Sequence, residues 1–406
     1  MTMHKRTSVI ILLLLPVWAG WFGSCQRRQA DTLPELHLYC DNIVWQHKSP
    51  CLLLTGNDTL SGKIKFRGGI SSRYGKHSFT LKLGNAYPLE GLPAARTFIL
   101  NANYIDKTMM RHKLSYDLFR KMRPCENKAA ECRYVQLHLN GRYEGLYVLM
   151  EKLDAKRLGL DKHDSMSMIF KDPPIFWGEN RIVPQDSDNY YQQTYPKITE
   201  EDKTAYLEQF MHFLFEAPDT LFAKEIGCWV DLDNVTDWHL LLLLTNNEDG
   251  LMKNFFLYKC SASEPFRFAP WDYDHSFGRD GDNEMNMLER IIDCDRCVLL
   301  RRLHQIPSLQ YDRKLAARWR ALREKGVFSL SGIREMVEEN HQAIEGAVMR
   351  NAEKWPWDAD DYYDDSTYTQ EVQLMLSYLQ KRLPQLDSCF HYRPERQESK
   401  GGGNKK

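Results

Sequence analysis

Apolar and polar residues alternate through the first third of the chain and recur at helical spacing through most of the rest. Between residues 36 and 100, short β-prone runs are separated by glycine-containing turns. Ile64 and Phe66 alternate with Lys63, Lys65 and Arg67, and Leu81 and Leu83 enclose Lys82. A period of two predicts half-buried strands. Met110, Leu114 and Leu118 fall on one stripe, which predicts a helix over 107–122. Runs at 134–140 and 143–151 predict a strand pair turned at Asn140-Gly141, a dipeptide suited to tight hairpins. Further on, Thr199 is placed to cap a helix carrying Tyr206, Phe210, Phe213 and Leu214. Residues 233–245, 308–325, 331–353 and 369–387 also read as helices. Strands first and helices later predict an α+β protein, with a small β-rich N-lobe on a larger helical C-lobe.

The first residues say where such a fold is expected to work. Lys5 and Arg6 precede an apolar stretch that ends at Gly23, Ser24 and Cys25. This is the form of an export signal, and the cysteine makes it resemble a bacterial lipoprotein signal cut before Cys25. Phe22 stands where leucine is usual, and an uncleaved membrane anchor is the competing reading. Either way the rest of the chain is exported and held at the membrane of the cell envelope. The expected organisation is a signal peptide (1–24), a tether (25–35), the β-rich N-lobe (36–152), the helical C-lobe (153–390) and a disordered polar tail (391–406). No second segment is long enough to span a bilayer; the apolar run at 240–244 is far too short.

Composition removes some classes of function. With 54 basic and 55 acidic residues the formal charge is −1, so no basic excess points to nucleic acid. Nine of the 10 cysteines follow Cys25, and an odd number leaves at least one unpaired within the chain. Cys125 with Cys132, or Cys40 with Cys51, are possible disulfides outside the cytoplasm. Cys294 and Cys297 form a lone C-x-x-C without further ligands at zinc-finger spacing.

The chemistry concentrates in NNEDGLMKNFFLYK (246–259) and FRFAPWDYDHSFG (266–278). Asp249 precedes Asn254 by five positions, and an apolar run then ends in Asp272 with Asp274 two residues on. A D-x-x-x-x-N loop followed across a short hairpin by a second aspartate is the acid arrangement of kinase-like phosphotransferases. Phosphoryl transfer needs a divalent ion held by hard oxygen ligands and an acceptor held in line. Each residue also has a plainer reading. Asp249-Gly250 is a common hairpin turn, and either Asp272 or Asp274 can simply cap a turn.

Together with KIKFRGGISSRYGKHSFTLKL (63–83), NANYIDKTMMRHKLSYDLFR (101–120) and VQLHLNGRYEGLYVLMEKLD (135–154), these segments make the chain resemble the CotH kinase family of atypical kinases. A weaker likeness runs on to about residue 390. The resemblance implies a fold similar to protein kinases without their standard motifs. It implies ATP as donor, Mg²⁺ or Mn²⁺ as the ion, and a protein Ser/Thr hydroxyl as acceptor. Asp249 would face that acceptor; Asn254 and Asp272, with Asp274, would hold the metal. Segment 63–83 would face the nucleotide, with Arg67, Lys76 and Lys82 as candidate phosphate ligands. No acidic residue lies between 59 and 89, which suits a phosphate surface or a merely basic face. Arg111 would reach a phosphate or pair with Asp117. Met150, Glu151 and Lys152 would lead to a hinge whose backbone meets adenine, with Glu151 alternatively paired to Lys82 or an arginine.

Two further features stand apart. WPWDADDYYDDS (355–366) mixes aspartates with aromatics, as a calcium or sugar site would, and more often as a solvated loop does. GRDGDNE (278–284) resembles a fragment of a calcium loop but lacks the twelve-residue pattern. The competing functions are a non-catalytic surface lipoprotein that binds or adheres, and a carbohydrate-binding module. Scarcity of ATP outside the cytoplasm keeps both open.

Overall fold

A computed structural model describes residues 33–176, 192–279, 287, 291–356 and 365–393. The proposed signal peptide, Cys25, most of the 278–284 and 355–366 stretches and the end of the tail lie outside these residues.

The alternating runs fold as a closed barrel, not an open sheet. Its strands are β1 (Glu35–Tyr39), β2 (Ser49–Thr55), β3 (Asp58–Arg67), β4 (Ser78–Tyr87), β5 (Ala95–Asn101), β6 (Cys132–Leu139) and β7 (Arg142–Glu151), with α1 (Arg111–Met122) between β5 and β6. The order around the barrel is β1-β2-β3-β4-β5-β7-β6, closed by parallel pairing of β1 with β6. Every second side chain points inward, so Leu36, Leu53, Ile64, Leu81, Phe98 and Leu149 fill the interior. Lys63 and Lys82 stand opposite each other in the ladder and face outward. The outer faces of β5 and β7 are apolar where Ile99, Val148 and Met150 join the core of the second half. This two-sided burial explains why β7 reads as a nearly continuous apolar run.

After the short turn α2 (Ala155–Leu158) come β8 (Met168–Lys171) and β9 (Gln192–Tyr195). Helices α3 (Thr204–Glu216), α4 (Asp219–Trp229) and α5 (Leu232–Thr245) follow, then the single turn α6 (Asp249–Met252) and strands β10 (Phe255–Lys259) and β11 (Arg267–Pro270). The second half is therefore not simply helical. It carries a four-stranded sheet in the order β11-β10-β8-β9. Helix α3 begins at Thr204, where the Asp202 carboxylate accepts from the Thr204 amide at 2.8 Å, and not at a cap on Thr199. Helix α1 starts four residues later than its stripe suggests, because Asp106 and Thr108 fold a turn of their own before it.

Helices α7 (Val298–Gln305), α8 (Tyr311–Glu324), α9 (Leu330–Lys354) and α10 (Tyr368–Cys389) complete the described chain. Thr367 and Gln370 form a capping box at the start of α10. The nine described cysteines are free thiols, so neither expected disulfide is present. Among the described residues no helix is long and apolar enough to cross a membrane.

Candidate active site

Local geometry gathers the four acidic-segment residues. Helix α5 ends at Asn246 with φ 55°, and the chain turns directly into α6. The Asn247 side chain accepts from the Gly250 amide at 3.0 Å. A Cβ at Gly250 would lie 2.9 Å from Leu242 and 3.0 Å from the Tyr273 hydroxyl, so a larger residue would push α6 off its seat. Asp249 thus begins a helical turn; it does not sit in a β-hairpin. Its carboxylate lies 3.1 Å from Lys253 Nζ.

The β10–β11 hairpin brings Asn254 beside Asp272. Phe255 pairs with Pro270, so the residues just outside them meet. The Trp271 amide donates to the Asn254 carbonyl at 2.9 Å, and the Asn254 amide nitrogen donates to the Asp272 carbonyl at 3.0 Å. This bond turns the other end of the Asn254 amide, its oxygen, away from the Asp272 backbone as an available ligand. Asp172, just after β8, accepts from the Asn254 and Phe255 amides at 2.7 and 3.3 Å. Asp172, Asn254 and Asp272 all have positive φ, at 53°, 63° and 56°. Three strained non-glycine residues at adjoining strand ends are the kind of cost that functional sites carry.

One cavity of about 460 Å³ is lined by Asp249, Asn254, Asp272 and Asp274, together with Asp172, Lys171 and Lys253. Its opposite wall comes from the barrel, through Gly69, Ser71, Lys76 and Ser78, and from the segment after β5. Of the two adjacent glycines, Gly68 is the one that needs to be glycine. Its φ is 135° and a Cβ would fall 2.3 Å from the Ser71 hydroxyl, whereas Gly69 faces open space.

The electrostatics suit a cation. Burial raises the Asp274 pKa, and the nearby Asp272 charge raises it further, against smaller opposing effects of His275 and His112. Two carboxylates held this close favour an ion between them. Asp272 and Asp274 offer carboxylate oxygens and Asn254 lines the same cavity with an amide oxygen, ligand types that suit Mg²⁺ or Mn²⁺. His112 Nε2 lies 3.7 Å from Asp272 and 4.0 Å from Asp274. Its Nδ1 accepts from the Tyr273 amide at 2.8 Å. Nε2 faces the two carboxylates beyond hydrogen-bond range, and His112, Asp272 and Asp274 each offer a ligand-type atom within 4.8 Å of the others. The Tyr116 hydroxyl accepts from the Asp272 amide at 2.8 Å and fixes the backbone there.

Arg67 reaches this site. Its guanidinium lies 5.6 Å from the Trp271 ring, and burial lowers its pKa against the opposing pull of Asp272. Lys76 is buried in the cavity wall, and burial pushes its pKa down to about 7. Its ammonium donates to the Ala102 carbonyl at 2.9 Å and to the Leu146 carbonyl, 4.3 Å from the Tyr147 ring centre.

The other expected nucleotide ligands are placed differently. Lys82 is exposed on the barrel's outer face and does not line the cavity. Lys152 is surface-exposed, yet crowding around its ammonium lowers its pKa. Desolvation is the larger cause, and the positive charges of Lys48, Arg67 and Lys82 add to it. Arg111 is fully buried, 2.6 Å from Asp106, 3.0 Å from Glu371 and 2.9 Å from the Ser276 carbonyl. It is a structural residue with no group facing the cavity, and Asp117 is not its partner; Asp117 pairs with Lys113 and Arg120. Met150 lies in the ladder between Ile99 and Cys132, with its side chain in the core, so it is no free hinge. Glu151 is likewise enclosed. It pairs with Arg157 at 2.8 Å and accepts from the Glu131 amide at 3.2 Å.

Sequence reasoning missed His112, Tyr116 and Asp172. His112 and Tyr116 are four apart on α1 and share a face, which was a readable signal. Asp172 follows a run of only four strand residues, which periodicity does not resolve.

Comparison with known proteins adds two findings. A family model described as CotH kinase protein matches residues 64–386. The inner spore coat protein H of Bacillus subtilis (strain 168) is 27% identical over 233 residues, 57% of this chain. The matched part spans 63% of that relative's length.

Proposed function

The chain belongs to the CotH kinase family, and from that premise we propose that it transfers the γ-phosphoryl group of ATP to a hydroxyl, a Ser or Thr of an envelope or surface protein. The barrel takes the place of a kinase's small lobe and the helical half that of its large one. The observation that carries this reading is the convergence of Asp249, Asn254, Asp272 and Asp274 in one cavity whose far wall is the glycine-containing turn after β3. Its volume, about 460 Å³, lies within the roughly 300–1,000 Å³ common for small-molecule sites.

Asp272, Asp274 and the Asn254 amide oxygen would hold Mg²⁺ or Mn²⁺. When bound, that ion offsets the negative charge of the phosphates. The turn at Gly68 and Gly69 lets backbone approach the phosphates closely. Arg67 adds positive charge beside Asp272. Asp249 orients the acceptor hydroxyl and takes its proton as the bond from the γ-phosphorus to the ADP oxygen breaks and the bond to the acceptor forms. Lys253 holds the Asp249 carboxylate in position.

A lipid on Cys25 would keep this chemistry at the cell envelope. A second reading, a non-catalytic surface lipoprotein, is favoured by one observation. The backbone at Met150 is occupied by the barrel ladder and is not offered to adenine. The carbohydrate-binding reading rests on 355–366, most of which lies outside the described residues.

The test is incubation of the purified protein with γ-labelled ATP and Mn²⁺ or Mg²⁺, beside Asp272→Asn. Metal-dependent label on protein, lost in the variant, supports the transferase. Metal-dependent nucleotide binding without label supports the non-catalytic reading.

A further inference from the structure

The one parallel ladder among the described strands closes the barrel, and a second cluster of ligand-type residues sits on its outer face. On β1, Leu36 and Leu38 point into the barrel, so Glu35 and His37 point out. On β6, His138 is the direct partner of His37. The Glu35 carboxylate is 3.3 Å from His37 Nε2 and 3.7 Å from His138 Nε2. The two imidazoles lie face to face, with centres 4.5 Å apart. One ligand atom from each of the three residues falls within 4.8 Å of the others. His138 Nε2 is buried and makes no hydrogen bond among the described residues.

Stacking two histidines beside a carboxylate is not needed to close a barrel. Apolar or small polar pairs would serve the seam without leaving a buried ring nitrogen unpartnered. We propose that Glu35, His37 and His138 bind a divalent transition ion of the zinc class, which clips β1 to β6 across the barrel's closing seam.

The donor chemistry selects the ion. Two imidazole nitrogens and one carboxylate oxygen suit Zn²⁺, which takes three protein ligands and leaves a fourth position for water. Mg²⁺ prefers an all-oxygen set and belongs at Asp272 and Asp274. Burial lowers the His138 pKa against the opposing Glu35 charge, and His37 and Arg350, the latter stacked 3.7 Å over Tyr143, add to the lowering. Arg350 also opposes an incoming cation, and the Glu35 charge offsets it. The ion binds the closed seam and not the unfolded chain, so it stabilises the fold by mass action. A five-residue strand held on one side by parallel pairing is where such a clip has most effect.

The test uses the full chain stripped with a chelator and titrated with ZnCl₂ by calorimetry, with thermal unfolding followed in parallel. The tightest equivalent is expected to bring a rise in the unfolding midpoint that MgCl₂ does not reproduce. His37→Gln and His138→Gln should each weaken that binding at least tenfold and remove the rise, while Asp272→Asn leaves both unchanged. Glu35→Gln, at an exposed position, should weaken it as well and guards against misfolding of the histidine variants. X-ray absorption of the zinc-loaded protein should show nitrogen and oxygen neighbours only. Sulfur neighbours, loss of binding in Cys294→Ser or Cys297→Ser, unchanged binding in folded Glu35→Gln and His138→Gln, or one bound equivalent without any thermal shift would overturn the proposal.

Discussion

Replacing Arg111 with glutamine should damage the fold and spare the nucleotide. Arg111, Asp106 and Glu371 are all buried, and the arginine joins a carboxylate five residues before it to one 260 residues after it. Removing the cation leaves both acids without their shared counter-charge. Breaking a buried pair costs about 3–5 kcal/mol. Two features of the structure hold the cost near the lower end. Asp106 still accepts from the Thr108 amide and hydroxyl, and Glu371 still pairs with Arg279. The loss should therefore be about 3 kcal/mol, read from urea unfolding at neutral pH.

The acid limb gives a second readout. Burial pushes the Glu371 carboxyl up, but Arg111 and Arg279 outweigh it and hold its pKa below the usual glutamate value. A depressed folded-state pKa contributes stability above the unfolded pKa, and that contribution is lost as pH falls through the folded one. In Arg111→Gln the contribution shrinks, so the difference from wild type should be largest near neutral pH and narrow as pH falls through the carboxylate range. ATP affinity, measured below the unfolding transition, should stay within about twofold, a change of about 0.4 kcal/mol. A stable Arg111→Gln protein that has lost ATP binding would refute this reasoning and restore Arg111 as a phosphate ligand.

Two other outcomes follow from the same geometry. Because the Asp274 pKa is raised while no cation is bound, Mn²⁺ must displace a proton there at a higher pH than at an ordinary aspartate. Mn²⁺ affinity should therefore fall as pH is lowered, starting above the usual aspartate range, and calorimetry on Asp274→Asn should show weaker binding with a flatter pH profile. At the other end of the chain, Cys25→Ser should leave the unprocessed precursor without lipid, seen as a larger species lacking acylation by mass spectrometry; normal processing and acylation would remove the proposed anchor.

Much of the barrel and of the acid cluster was legible because it is local. Ile64, Phe66, Leu81 and Leu83 announce their strands by alternation, and Asn140-Gly141 announces the β6–β7 turn. Asp249, Asn254 and Asp272 are joined by one helical turn and one hairpin, so their spacing in the sequence carries over into space. What was not legible depends on distant partners. Closure of the barrel rests on pairing Glu35–Tyr39 with Cys132–Leu139, about a hundred residues away, and parallel pairing has no turn signal. The second sheet hides in β8 and β9, four residues each. Arg111 read as a phosphate ligand or as a partner of Asp117 because Asp106 and Glu371 do not announce themselves as its partners. Met150 and Glu151 looked like a hinge because the strand before them reads the same whether it borders a cleft or is enclosed by two neighbours.

The central claim is that Asp249 acts on the acceptor while Asn254, Asp272 and Asp274 serve the metal and the donor. Asp249→Asn tests it most directly, since it keeps the size and removes the charge and basicity. Asp249 lines the cavity and its carboxylate pairs with Lys253, which asparagine can still reach as a neutral partner, so the fold should survive. Transfer from γ-labelled ATP to protein should fall by about 10²–10⁴-fold in the variant, with nucleotide affinity and urea stability close to wild type. A folded Asp249→Asn protein that transfers phosphate at the wild-type rate would contradict the account.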